Sequence, residues 1–118
     1  MKRYGLPKEH LLRKSGDFEQ VYKQGKRLHG DGFTLICHNN SFGFNRIGIS
    51  VHRQIKGVVK RNRIKRIIRE SFRLRRKQYP QNSDIVFAVR PGFLLNSPKT
   101  IGLAVSLLTH VVNESDNN

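Results

Sequence analysis

The run VVKRNRIKRIIRESFRLRRK at residues 58–77 constrains the fold more than any other part of the sequence. Four of its apolar residues recur at helical spacing: Ile64, Ile67, Ile68 and Phe72. This predicts an amphipathic helix whose apolar stripe packs on a sheet, with Val58 and Val59 at its entry. The opposite side of this helix then carries Asn62, Arg66, Arg69 and Arg73, with Lys65 and Arg76 flanking them. The segment must fold with a dense positive surface facing outward.

That surface cannot be balanced by ion pairs within the helix. Twelve of the 23 Lys and Arg residues lie between residues 53 and 77, against a single acid, Glu70. The whole chain has a formal net charge of +15 and a pI near 11.0. Such a charge favours a polyanionic partner. Arginine outnumbers lysine in the segment, which fits bidentate phosphate contacts and base stacking, and no dimer signal accompanies the helix. Folded RNA is therefore favoured over duplex DNA, while a solvated charged face is the alternative.

The remaining pattern predicts one α+β domain, because 118 residues suffice for a single core. We expect a helix at residues 16–24, strands at 32–39 and 46–51 paired as a β-hairpin, a buried strand at 84–90, and a final helix that Ser97 caps. The order α-β-β-α-β-α is typical of a two-layer sandwich with a small mixed sheet. Its β-α-β unit would be parallel if the two strands are neighbours, and the general rule makes such crossovers right-handed.

The ends of the chain lack this periodicity. Residues 1–13 are expected to form a basic arm, residues 14–112 the RNA-binding domain, and residues 113–118 a frayed polar tail. No run of about 18 apolar residues could span a membrane, and the start is too charged for a signal peptide. The single cysteine, Cys37, excludes an intrachain disulfide. We expect a cytoplasmic protein.

Aromatic and small residues indicate a second contact surface. Phe18 and Tyr22 are i,i+4 neighbours on the first helix, where they could stack on unpaired bases or belong to the core. On the second strand, Gly48 and Ser50 lie on the face opposite the apolar residues, and their small size would let a flexible chain lie close. Phe72 and Phe87 are expected in the core.

No catalytic or metal centre is expected in the protein itself. The eight acids are scattered, and the five histidines lie in different elements without zinc spacing. Cys37 has no basic partner nearby in sequence, so we expect a small apolar residue rather than a nucleophile. The polypeptide alone is expected to cleave nothing.

The run KRNRIKRIIRESFR at residues 60–73 resembles the RNR signature of the bacterial ribonuclease P protein subunit. LPKEHLLRKSGDFEQVYKQGKR, RIGISV and DIVFAVRPG are similar to that family's other blocks, in the same order. The resemblance implies an enzyme that removes the 5′ leader of precursor tRNA, with an RNA subunit as the catalyst. It also implies a fold like the second domain of a small-subunit ribosomal protein, with a left-handed β-α-β crossover.

The resemblance also assigns site residues. Contact with the RNA subunit is expected from ten residues: Arg53, Lys56, Lys60, Arg61, Asn62, Arg63, Lys65, Arg66, Arg69 and Arg73. The single-stranded leader is expected to contact Phe18, Tyr22 and Ser50. Mg²⁺ would be bound mainly by the RNA, with the protein a monomer in a 1:1 ribonucleoprotein that also binds precursor tRNA.

Two positions depart from the family pattern. Lys56 stands where the family usually has glycine, with Gly57 one place later, so the path of this loop and an added phosphate contact are open. Ile36 stands where the family often has an aromatic residue, which weakens base stacking by that strand. A basic structural ribosomal protein, another RNA-binding module and a self-sufficient nuclease are the alternatives in function.

Overall fold

A computed structural model of the protein describes the backbone of residues 6–116 and the side chains of residues 6–109. Its elements are α1 (Ser15–Gln24), β1 (Lys26–His29), β2 (Phe33–Asn39), β3 (Arg46–Val51), α2 (Val58–Leu74), β4 (Ser83–Val89) and α3 (Pro98–Asp116). Two 3₁₀ turns lie at Lys8–His10 and Arg76–Gln78. The predicted α+β class and the three helices are confirmed, and β1 was not predicted.

The four strands form one mixed sheet in the order β1-β2-β4-β3. β1 pairs antiparallel with β2, β2 antiparallel with β4, and β3 parallel with β4. The prediction of a hairpin between β2 and β3 is therefore wrong, because β4 lies between them. β4 is buried on both faces, with Ile85 and Phe87 on one side and Val86 on the other. Such a strand belongs in the centre of a sheet.

The pairing of β3 with β4 makes β3, α2 and β4 the expected parallel β-α-β unit. Ile68 and Phe72 of α2 are fully buried against the sheet, as predicted, and Ile101 and Val105 of α3 complete this core. Ser97 caps α3, since its Oγ accepts a hydrogen bond of 3.2 Å from the Thr100 N–H. The left-handed sense of the crossover stays a prediction.

The entry of α2 differs from the prediction. Val58 and Val59 are 74% and 83% exposed instead of packing on the sheet. Val59 precedes Arg66 by seven residues and Val58 precedes Arg69 by eleven, which at 3.6 residues per turn places both valines on the outward face. The two valines lengthen the apolar pattern in the sequence, but they do not lie on the buried side of the helix.

Helix α1 lies on the opposite face of the sheet from α2 and α3. Its buried Val21 packs with Leu12, Ile36 and Val86 in a second, smaller core. Because Ile36 and Val86 alternate with residues that face the main core, the sheet has apolar groups on both sides. α1 covers one band of this second face.

The segment before α1 is attached to the sheet. Leu11 forms a parallel bridge with Ile47, and the Leu12 N–H donates to the Ile47 carbonyl at 2.8 Å. His10 stacks on Phe44 with ring centroids 4.2 Å apart. Residues 6–13 of the predicted basic arm therefore lie against the domain, while residues 1–5 are outside the described part of the chain. At the other end α3 runs through the predicted tail to Asp116, and residues 117–118 are not described.

Candidate RNA-binding surface

Helix α2 and the loop before it present most of the predicted RNA-contacting side chains to the outside. The exposed members, which we call the basic ridge, are Arg53, Lys56, Lys60, Asn62, Arg63, Arg66 and Arg69. Asn62, Arg66 and Arg69 follow at intervals of four and three residues, so they share one side of the helix. Six exposed cations on this helix and the loop before it favour binding of a polyanion.

Arg61 differs from its neighbours in the RNR motif. Its guanidinium points back onto residues 51–55 and donates to the carbonyls of Val51 at 3.0 Å, His52 at 3.0 Å and Ile55 at 2.8 Å. The side chain is half-buried. Arg61 was predicted as an RNA contact, but in the structure its donors hold the loop that carries Arg53 and Lys56.

The other two half-buried members of the predicted set are Lys65 and Arg73. Arg73 forms an ion pair with Glu70 one turn earlier on α2, with its Nε 3.2 Å from Glu70 Oε1. Arg76, predicted to flank the charged face, is also turned inward. It donates to Asn45 Oδ1 at 2.6 Å and to His10 Nδ1 at 2.7 Å, over the ring of Phe72. α2 ends at Leu74, so helical spacing no longer places Arg76.

The contact between Arg76 and His10 fixes the protonation state of that histidine. Arg76 donates to Nδ1, so this nitrogen must accept and the imidazole must be neutral. Burial and the adjacent Arg76 charge both lower the pKa of His10. These contacts attach the 3₁₀ turn before α1 to the end of α2, which keeps the first helix in place.

The loop between β3 and α2 contains Gly57, which stands one position later than the glycine of the family pattern. Gly57 has φ of +97°, in the region that favours glycine, and its carbonyl accepts the first helical hydrogen bond from Arg61 N at 3.0 Å. Ile55 is buried and anchors the middle of the loop in the main core. Lys56 is exposed, so it is free to add the phosphate contact that the departure from the family pattern suggested.

A second surface lies on the other face of the sheet, beside α1. Phe18 and Tyr22 are both half-buried, with ring centroids 6.5 Å apart. A Cβ built on Gly48 would lie 2.6 Å from the Phe18 ring, so Phe18 occupies the space above Gly48 that was predicted for a flexible chain. Ile36 is 3% exposed beneath α1, so it is a core residue and is not available to stack a base.

Beside α1, the same face of the sheet carries a row of small and polar side chains. Cross-strand pairing aligns His29 with Thr34, Thr34 with Ala88, and Ala88 with Ser50. Ser50 is half-buried in this row, next to the band that α1 covers. The row and the α1 aromatics lie on the same face of the sheet, and we call this surface, with Phe18, Tyr22 and Ser50, the sheet cleft.

Sequence reasoning missed one cation of this cleft. Arg90 follows β4 with the same parity as Val86 and Ala88, so it continues their face. It is exposed and donates to the Gly30 carbonyl at 3.2 Å. Because successive side chains of a strand point to opposite faces, the spacing of Val86, Ala88 and Arg90 in the sequence could have predicted the face of Arg90. Arg90 was interpreted only as the end of the strand.

The surroundings of Asp84 and Cys37 shift the pKa values of both side chains. Burial alone would raise the pKa of Asp84, but hydrogen bonds from Arg46 and Asn40 at 2.8 Å outweigh it and lower that pKa. Burial raises the pKa of the Cys37 thiol to about 12, so it stays protonated. Among the described residues, no three His, Cys, Asp or Glu side chains are grouped to hold a metal ion. None of the helices described is long and apolar enough to cross a membrane.

The fold and these surfaces define a small, basic RNA-binding protein of the α+β class. A family model described as Ribonuclease P matches residues 6–110. A ribonuclease P protein component from Desulfotalea psychrophila is 60% identical over 108 residues, 92% of this chain and 90% of the relative. The solved ribonuclease P protein from Thermotoga maritima has a TM-score of 0.73 at 31% identity, covering 84% of this chain and 94% of that one. That from Staphylococcus aureus has a TM-score of 0.70 at 28% identity, covering 90% and 91%.

The chain belongs to the ribonuclease P protein family. Its role is that of a protein subunit of ribonuclease P, the endoribonuclease of tRNA 5′ maturation, and its partner is the RNA of that enzyme. The resemblance identified from the RNR block and its companions is confirmed.

Proposed function

We propose that the protein binds two RNAs at once, the RNA subunit through the basic ridge and the 5′ leader of precursor tRNA through the sheet cleft. The observation that carries this is the placement of the two surfaces. The ridge lies on the layer of α2, and the cleft lies on the opposite face of the sheet beside α1. They meet at the loop after β3, where Ser50 precedes the carbonyls that Arg61 holds.

Catalysis in this proposal is carried by the RNA subunit. The protein supplies cations that offset phosphate repulsion, so the RNA folds and binds substrate at a lower Mg²⁺ concentration. Mg²⁺ would be held mainly by RNA phosphates, with one protein and one RNA in the cytoplasmic particle. No step requires an acid, base or nucleophile from the protein.

Reconstitution tests the proposal. Added to a bacterial ribonuclease P RNA at low Mg²⁺, the full chain is expected to stimulate leader removal from precursor tRNA, followed as product on a gel. The stimulation should shrink as Mg²⁺ is raised, because the ion then replaces the protein's charge. Protein without RNA serves as the control and should cleave nothing. If the protein stimulates leader removal at none of the Mg²⁺ concentrations, the proposal is refuted. Cleavage by RNA-free protein would favour a self-sufficient nuclease.

Replacing Tyr22 with alanine is expected to weaken leader recognition selectively. Stacking of a base on an aromatic side chain contributes about 1–3 kcal/mol, so affinity for precursor tRNA should fall about 5-fold to 150-fold. The measurement compares the Kd of the holoenzyme for precursor tRNA and for mature tRNA, which lacks the leader. Tyr22→Phe keeps the aromatic ring, so this variant should retain most of the difference in affinity between precursor tRNA and mature tRNA. Equal losses for both tRNAs would contradict the leader contact.

A further inference from the structure

A third surface lies at the other end of the sheet from Ser50 and Arg90. Here β1 begins, β2 ends and the 3₁₀ turn after α2 folds over them, leaving an open cleft of about 680 Å³. The register places Asn39 opposite Ser83 at this end and Phe33 opposite Val89 at the other. Six residues of strand, roughly 20 Å, therefore separate this lateral cleft from the end where Ser50 and Arg90 lie.

The cleft is bordered by two lysines from different elements. Lys26 comes from β1 and Lys77 from the 3₁₀ turn, and both are exposed. Neither ammonium group forms a hydrogen bond or an ion pair with any residue of the described part of the chain. No Asp or Glu lines the cleft. Two like charges that face one cavity without a counterion favour binding of an anion between them.

The hydrogen-bonding groups of the cleft include donors without a partner. Two acceptors in the cleft are already used: Asn39 Oδ1 accepts from Ser83 Oγ at 3.3 Å, and the Tyr79 carbonyl accepts from Gln81 Nε2 at 2.8 Å. The buried Gln78 Oε1 is an acceptor without a partner among the described residues. The amide NH₂ of Asn39 has no partner among the described residues, like the two ammonium groups. A ligand that offers many acceptors and negative charge satisfies these three donor groups, and a phosphodiester backbone does both.

We infer that the lateral cleft binds a phosphodiester segment of the ribonuclease P RNA, as a contact separate from the basic ridge. Lys77 lies three residues beyond the end of α2, so an RNA on the ridge that follows this helix reaches the cleft. The leader would lie at the far end of the sheet. The inference rests on the proposed function, because it takes the RNA subunit as the bound polyanion.

A pair of matched double variants tests the contact. Lys26→Gln with Lys77→Gln removes both cleft charges, and Lys14→Gln with Lys99→Gln removes two exposed charges elsewhere. Each phosphate contact contributes about 0.7–0.9 to the slope of log K against log salt, so the cleft variant should lose about 1.4–1.8 of that slope. The control should stay close to the wild type, although its net charge falls equally. Equal slopes for both variants would overturn the inference.

Lysine acetylation of the wild-type protein gives a second readout that needs no variant. RNA should protect Lys26 and Lys77 from the reagent, as measured by mass spectrometry, while Lys99 stays reactive. Equal reactivity of Lys26 with and without RNA would also overturn the inference. If wild-type protein binds and stimulates the RNA but these two tests are negative, the lateral cleft alone is excluded. If the wild type gives no stimulation, the proposed function itself fails.

Discussion

Replacing Arg63, Arg66 and Arg69 together with glutamine is expected to lower affinity for the ribonuclease P RNA roughly hundredfold. Each exposed guanidinium is assigned one phosphate contact of about 1 kcal/mol, and about 1.4 kcal/mol corresponds to a tenfold change in Kd. The three side chains are exposed on one helix and do not support the core. The free energy of unfolding should therefore change little, so the loss can be attributed to the interface.

The salt dependence separates phosphate contacts from a general effect of charge. The triple variant should lose about 2–3 of the slope of log K against log salt. Lys14, Lys23 and Lys99, replaced together with glutamine, remove the same charge from exposed positions outside the ridge. We expect that control to keep most of its slope. If the control variant has the same loss of RNA affinity and the same reduced salt slope as the ridge variant, net charge determines binding and the position of the ridge does not.

Most of the fold follows from local patterns in the sequence, whereas its strand order does not. The apolar stripe of α2 and the continuous apolar run of β4 each predicted their element, because one face or two faces of those elements are buried. β1 carries one apolar residue, Leu28, so it has no alternation of its own and forms through pairing with β2. The position of β4 between β2 and β3 depends on pairing between residues that are far apart in the sequence. The turn residues at 39–43 are consistent with a hairpin and do not predict this pairing.

The candidate site divides in the same way. The exposed positions of Arg63, Arg66 and Arg69 follow from helical periodicity, because position on the helical wheel determines which side of the helix a side chain takes. Arg61 lies in the first turn of α2 and Arg76 just beyond its end, and each reaches a carbonyl of another segment, Val51 and Asn45 respectively. Charge alone cannot distinguish an arginine that binds phosphate from one that binds the protein's own backbone. That distinction needs the positions of the carbonyls in space.

Replacing Arg61 with alanine is expected to destabilise the protein by about 2 kcal/mol, seen as a fall in Tm of roughly 8 °C. The loss follows from three carbonyls, at residues 51, 52 and 55, that would lose a charged donor. Arg66→Ala is the matched control, since it removes the same group from an exposed position and should change stability by less than about 0.5 kcal/mol. Thermal and urea unfolding of the free protein measure both.

Arg61→Lys distinguishes the geometry of the guanidinium from its charge. Lysine keeps the positive charge but has all three N–H donors on one nitrogen, which does not reproduce the two guanidinium nitrogens that donate to the three carbonyls. We therefore expect Arg61→Lys to be nearly as unstable as Arg61→Ala, and RNA affinity to fall in both because Arg53 and Lys56 lie on the released loop. If Arg61 instead bound a phosphate, lysine would preserve stability and alanine would lower the salt slope by about one. In the structure the RNR motif thus combines one residue that holds the loop with neighbours that are exposed on the basic ridge.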